Sequence, residues 1–214
     1  NGFVGSVLSM DAVARGFDVR GATRNVCDLP IGLENIVVGD INADTEWHSA
    51  LLNCDVVIHL AARVHVMSET ADDSLSEFRL VNTTGTEYLA RCAATSGVKR
   101  LVYVSSIKVN GEETSGDVAF CEQDQPNPQE AYGVSKWEAE QALHRVAAET
   151  GMEVVIVRPP LVYGPGVKGN FAQMLRVVTT GIPLPFASVK NKRELIYVGN
   201  LVDALITCAT HTAA

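Results

Sequence analysis

Short apolar, β-branched runs alternate with longer stretches of helical period along this chain. That alternation constrains the fold more than any other feature. Residues 17–22, 35–38, 55–60, 101–104 and 153–157 read as strands. Between them, Val7, Leu8, Ala12, Val13 and Ala14 mark a short helix that stops at Gly16, and residues 50–52 lie on another. Phe78, Val81, Gly85, Leu89 and Cys92 recur at helical spacing and predict a helix over 75–96, ending at Gly97. Ala139, Ala142, Leu143, Val146 and Ala147 predict one over 132–150, ending at Gly151. Strands separated by helices are joined by crossovers, which gives βαβ units and a parallel sheet. Residues 110–130, rich in Gly, Pro, Asp and Glu, form a long surface loop.

The 214 residues, 47% hydrophobic and 20% charged, suit one α/β domain and part of a second. A net charge of −8 without a run of Lys or Arg excludes a nucleic-acid platform. Five cysteines, an odd number with no C-x-x-C pair, point to reduced thiols and a cytoplasmic setting. No apolar run approaches the ~18 residues of a membrane span, and no signal-peptide pattern opens the chain. Asn82-Thr83-Thr84 matches a glycosylation sequon, but nothing else suggests secretion. The chain opens directly on Asn1-Gly2-Phe3-Val4-Gly5, and 201–214 reads as a helix that has just begun to pack. The expectation is a fold lacking its first strand and most of a C-terminal lobe, with poor stability in isolation.

Gly2 and Gly5 stand where a strand turns into a helix, a place where glycines let backbone approach a pyrophosphate. A tight turn explains them equally well. The end of the next strand meets an adenosine ribose in such folds; Thr23 and Arg24 there lean toward a 2′-phosphate. Asp40 and Ile41 follow a strand and face the adenine edge, or simply form a turn. Ala61 and Ala62 keep a cofactor path free of bulk. His59 and His65 have no carboxylate or cysteine at ligand spacing and read as structural. Ser105-Ser106 ends a central strand, where ligands bind in open α/β sheets, and no G-x-S-x-G elbow surrounds it. Tyr132 and Lys136 sit four apart on one helical face. A neighbouring ammonium lowers a phenol's pKa from ~10, which prepares it to exchange a proton with an alcohol. Arg158-Pro159-Pro160 through Gly166 suits a crossing out of the sheet, and Arg193 precedes the apolar stretch 195–198.

Taken in order, N-G-F-V-G, H-L-A-A, Asn82-Thr83-Thr84-Gly85-Thr86, V-S-S, Y-G-V-S-K, R-P-P-L-V-Y-G-P-G and R-E-L-I-Y-V-G-N-L-V-D-A carry a resemblance. The chain resembles the extended short-chain dehydrogenase/reductases, in their nucleotide-sugar epimerase/dehydratase branch, over essentially its whole length. The resemblance implies a Rossmann-type doubly wound parallel sheet with helices on both faces over residues 1–158. Residues 159–214 then lead into a substrate lobe. It implies NAD or NADP held by Gly2, Phe3, Val4, Gly5, Arg24, Asp40, Ile41, Leu60, Ala61, Ala62, Asn82, Tyr132, Lys136 and Pro159. It implies Tyr132 as acid/base, Lys136 on the nicotinamide ribose, and Ser106 positioning the reacting hydroxyl. Ser106, Lys108, Asn170 and Arg193 are then expected to bind a nucleoside-diphosphate sugar, with UDP as the expected nucleotide. Helices matching 75–96 and 132–150 pair with a partner's copies in that family, so a homodimer is expected.

Departures narrow the reaction. Dehydratases of the branch carry an acidic pair after the serine; here Ile107 and Lys108 stand there, which disfavours 4,6-dehydration. Asn110-Gly111 replaces a tyrosine-glycine of many epimerases, and Val64 replaces a lysine. The leading expectation is a UDP-sugar 4-epimerase working through a 4-keto intermediate. The alternatives are an NADPH-dependent 4-keto reductase of a UDP-amino-sugar in polysaccharide synthesis, and a non-catalytic NAD(P)-binding regulator.

Overall fold

The computed structural model describes residues 2–27, 32–64, 74–114, 118–167, 169–181 and 192–213. Helix α1 (Phe3–Ala14) leads into strands β1 (Arg20–Thr23) and β2 (Glu34–Val37), and a short α2 (His48–Leu51) leads into β3 (Val56–His59). Helix α3 (Ser74–Phe78) runs through a π-helical turn, Arg79–Thr84, into α4 (Gly85–Thr95) and then β4 (Arg100–Val104). A 3-10 turn, Ile107–Val109, and a long loop precede α5 (Ala131–Thr150) and β5 (Glu153–Val157). Then come β6 (Leu161–Tyr163), α6 (Gly169–Thr179), β7 (Leu195–Tyr197) and α7 (Val198–Thr210).

Every ladder is parallel. Strand β1 pairs with β2, β3–β4–β5 form a second group, and β6 pairs with β7. Among the described residues no ladder joins β1 to β3. Val56 stands opposite Arg100, and Arg100 opposite Glu153, so the carboxyl ends of β3, β4 and β5 emerge together.

Strand β4 is covered on both sides. Leu101 and Tyr103 enter one cluster with Leu89, Ala90, Ala139, Leu143 and Val146 of α4 and α5. Val102 enters the other, with Leu8 of α1 and Val198, Leu201, Val202 and Leu205 of α7. Alternate residues of a strand face opposite ways, so a fully apolar strand needs a layer on each side. The result is the Rossmann-type arrangement, helices on both faces of a parallel sheet.

Two boundaries moved for physical reasons. Phe17, expected in the first strand, instead closes α1: its N–H donates to Ala12 O at 3.1 Å after Gly16 turns with φ +84°. The last helix does more than begin to pack, because α7 buries five apolar residues. All five cysteines are unpaired. Asn82 of the sequon is buried within the π-helical turn, not on a surface loop. No helix among the described residues is long and apolar enough to cross a membrane.

Candidate active site

The site is built where β4 ends. Ser105 N–H donates to Val157 O at 2.7 Å and Ile107 N–H to Pro159 O at 3.1 Å, so the turn after β4 is clamped to the chain leaving β5. Ser106 is extended and caps the 3-10 turn, accepting from Lys108 N–H at 3.2 Å. The first turn of α5 closes on this cap because residue 133 is glycine. A Cβ there would fall 2.9 Å from Lys108 O and 3.2 Å from Pro128. Tyr132, next to that glycine, lies close enough to Ser106 for that hydroxyl to lower the phenol's pKa. The Phe78 ring packs edge-on against the Tyr132 ring, with centroids 6.1 Å apart.

Helix α5 buries Gly133, Lys136, Ala139, Glu140, Leu143 and Val146, a stripe at helical spacing. Two charged residues therefore lie on its core face. Lys136 Nζ donates to Val104 O at 2.7 Å and sits 4.1 Å above the Tyr103 ring. Burial draws its pKa down to about 7, against the raising influence of the Glu140 carboxylate. Behind it, His59 stacks on Tyr103 and its Nε2 lies 3.0 Å from Thr86 Oγ1. Burial, and then the Lys136 charge, lower this imidazole to about 3, so it is a neutral structural group as the sequence suggested.

One expectation is reversed. Tyr132 has its pKa raised, not lowered: burial dominates, and only the Ser106 hydrogen bond opposes it. The reason is geometric. The Lys136 ammonium is spent on Val104 O and the Tyr103 face instead of on the phenol.

Sequence reasoning missed a second layer. Glu140 accepts from Ser105 Oγ at 2.5 Å and from Arg158 Nη2 at 2.5 Å and Nε at 3.0 Å. Arg158 Nη1 donates to Asn110 Oδ1 at 3.1 Å, and Asn110 Nδ2 donates to Cys121 O at 3.2 Å. The signal was available: residues 132, 136 and 140 share one helical face.

The expected cofactor residues converge from three directions. Gly2 caps α1 in extended conformation, and the first turn, Phe3 to Gly5, holds no acidic side chain. Free N–H groups at such a terminus attract phosphate. A Cβ on Gly5 would lie 3.5 Å from Leu60 Cδ1, so this turn abuts the residues leaving β3, where Ala61 and Ala62 keep the surface small. Asn82 fixes that segment: its Oδ1 accepts from Arg63 N–H at 2.8 Å, and its Nδ2 donates to Arg63 O and Ser135 Oγ, each at 3.0 Å. Thr83 Oγ1 donates to Ser135 O at 2.9 Å. One buried asparagine thus joins the β3 exit to the helix of Tyr132. Gly85 lets Ile41 approach, since a Cβ would fall 2.5 Å from Ile41 Cγ2. Arg24 and Asp40, at the ends of β1 and β2, pair with each other at 2.8 Å, both exposed. A phosphate-ready helix terminus, small residues beside it and a braced turn fit a dinucleotide.

A model of the NAD dependent epimerase/dehydratase family matches residues 1–214. The chain belongs to this family. A UDP-glucose 4-epimerase of Vibrio cholerae is 47% identical over 215 residues, covering all of this chain and 65% of that protein. The chain thus spans somewhat under two thirds of that relative's length. Among solved structures, MoeE5 in complex with UDP-glucose and NAD is 29% identical with a TM-score of 0.78, covering 98% of this chain and 69% of that one. A UDP-N-acetylglucosamine 4-epimerase from Bacillus cereus is 25% identical with a TM-score of 0.81, at the same coverages.

Within this epimerase/dehydratase chain, not every expected substrate residue joins the centre. The Lys108 ammonium pairs with Glu112 and lies 3.6 Å from Glu130, which holds it toward the long loop. Asn170 lies on α6, and its side chain is outside the described residues, as is His65. Arg193 is exposed, two residues before β7. Pro159 contributes its carbonyl to the clamp on Ile107.

Proposed function

We propose that this protein is an NAD-dependent UDP-sugar 4-epimerase. The observation that carries the reading is the meeting of Tyr132 with Ser106 at the end of β4, with Lys136 one turn further along the same buried face. The named relatives and solved neighbours support it, each under its own substrate. Residues 1–158 act as the dinucleotide domain and 159–214 lead toward the sugar. We further assign the cytoplasm as its compartment and a homodimer as its working form.

Gly2, Phe3, Val4 and Gly5 hold the pyrophosphate at the α1 terminus. Leu60, Ala61, Ala62, Asn82 and Pro159 line the path toward the reacting end. When bound, the nicotinamide supplies a hydride acceptor and donor. Tyr132 takes the proton of the sugar C4 hydroxyl and returns one to the C4 oxygen after the ketone has turned its other face. Ser106 donates to that same oxygen and holds it beside the phenol. Lys136 binds ribose hydroxyls one turn along the helix from the phenol. Arg193 contacts the nucleotide sugar, with Asn170, while Lys108 stays with Glu112 on the long loop. The test is interconversion of UDP-glucose and UDP-galactose with NAD and no added NADPH. Turnover that consumes NADPH one for one, with no interconversion, refutes epimerisation and leaves the 4-keto reductase.

The Arg24–Asp40 pair favours NAD over NADP. The carboxylate neutralises the one guanidinium that a 2′-phosphate would use, and repels the phosphate itself. Exposed pairs are worth only about 0–1 kcal/mol, so the bias is modest. Replacing Asp40 by Asn is expected to tighten NADP binding several-fold, with NAD affinity little changed, measured by calorimetry. An unchanged NADP affinity would place Arg24 outside the ribose site.

A further inference from the structure

We propose that Glu140 is a positioning residue of this centre: its buried carboxylate ties the ends of β4 and β5 to the helix of Tyr132 and serves as the counter-charge of Lys136. The inference rests on the reading of Tyr132 and Lys136 as the reacting pair, and it deepens that reading.

The geometry is unusual for an ordinary ion pair. Glu140 is 1% exposed, and its two oxygens take hydrogen bonds from the exits of two strands. Ser105, at the exit of β4, donates to Oε1. Arg158, at the exit of β5, donates to both oxygens. The carboxylate itself rides on α5. Ser105 precedes Ser106, and Val104, which receives the Lys136 ammonium, precedes Ser105. A shift of Glu140 therefore displaces the Ser106 hydroxyl and the lysine's acceptor together, while Tyr132 stays with the helix.

The charges around Lys136 explain why a carboxylate is needed and not only an amide. On its own helix it faces Tyr132 and Glu140; from β4, the Tyr103 ring; from β3, the neutral His59; beyond β5, Arg158, which Glu140 holds. Glu140 is the anion of this set. Burial works against the ammonium, and Glu140 is what opposes it. Without that carboxylate, Lys136 releases its proton at lower pH, and the face that carries Tyr132 loses its buried cation.

The test reads Lys136 directly, so it does not depend on sugar turnover. Lysine labelled with 13C at Cε and observed by NMR gives a titration for each lysine, and the Lys136 signal is the one absent from Lys136→Met. In the NAD-free protein its midpoint is expected near 7. Glu140→Gln is expected to lower the midpoint by at least about one unit, a tenfold change in proton affinity, and Glu140→Asp to restore part of it. Because Glu140→Gln leaves Arg158 without its carboxylate and risks misfolding, Glu140→Gln/Arg158→Met is measured beside it. A merely structural brace predicts the wild-type midpoint in that repacked double variant. That result overturns the proposal, whereas a lowered midpoint in the double variant supports it. Failure of the epimerase reading would instead appear as absent interconversion with the Lys136 shift intact.

Discussion

Replacing Tyr132 by Phe is expected to lower kcat roughly a hundred- to ten-thousand-fold, the usual contribution of a positioned proton-transfer group. The substitution removes one oxygen and keeps the ring, so the edge contact with Phe78 survives. Ser106 loses its partner but still caps the 3-10 turn through Lys108 N–H. Folding and NAD binding should therefore stay near native, and the loss should fall on kcat rather than KM. Steady-state epimerisation and NAD calorimetry on the same preparation separate these quantities. Retained turnover would remove Tyr132 from the chemistry. Retained biological function with no turnover in either protein would mark a non-catalytic NAD binder.

The largest stability effect is expected at Arg158. Changing it to Met removes the hydrogen bonds to Glu140 and Asn110 and leaves a carboxylate that is 1% exposed facing Ser105 alone among its former donors. Breaking a buried pair from one side costs about 3–5 kcal/mol. For a chain of this size that lowers the thermal midpoint by roughly 10 °C. The comparison that decides the mechanism is Arg79–Glu138, an equally short pair at 2.5 Å whose side chains are 47% and 31% exposed. Solvent screens that pair, and its loss should cost no more than about 1 kcal/mol. Urea denaturation of the two arginine variants checks the ranking. Adding Glu140→Gln to Arg158→Met should recover most of the loss, because the stranded charge is then gone. If the single variant unfolds like wild type, Glu140 finds water and the buried network is weaker than its distances imply.

What the sequence revealed followed from periodicity. Tyr132 and Lys136 share a face by helical arithmetic, and Ser106 ends a strand whose apolar run announces a central position. Residues 153–157 were read as a strand at their observed bounds for the same reason. Direction of tuning was not legible. Whether Lys136 lowers the Tyr132 pKa depends on where the ammonium points, and Val104 O and Tyr103 come from a strand far away in sequence. Glu140 lay in plain view one turn past Lys136, yet its meaning required Arg158 and Ser105 beside it. Asn82 entered only through family resemblance. Its bond to Ser135 crosses 53 residues, and no local pattern encodes that. The closing helix was underrated because the surfaces it covers, on α1, β3 and β4, are non-local.

The side-chain ties of β1 have a consequence for local stability. Strands β1 and β2 hydrogen-bond to each other and, among the described residues, to no other strand. Their union with the rest runs through side chains. Arg20 donates to the carbonyls of Ser49, Ala50 and Leu52 around the end of α2, and Ile36 and Val38 reach the α4–α5 cluster. Losing the Arg20 guanidinium would therefore loosen β1 from α2 before it disturbed β3, β4 or β5.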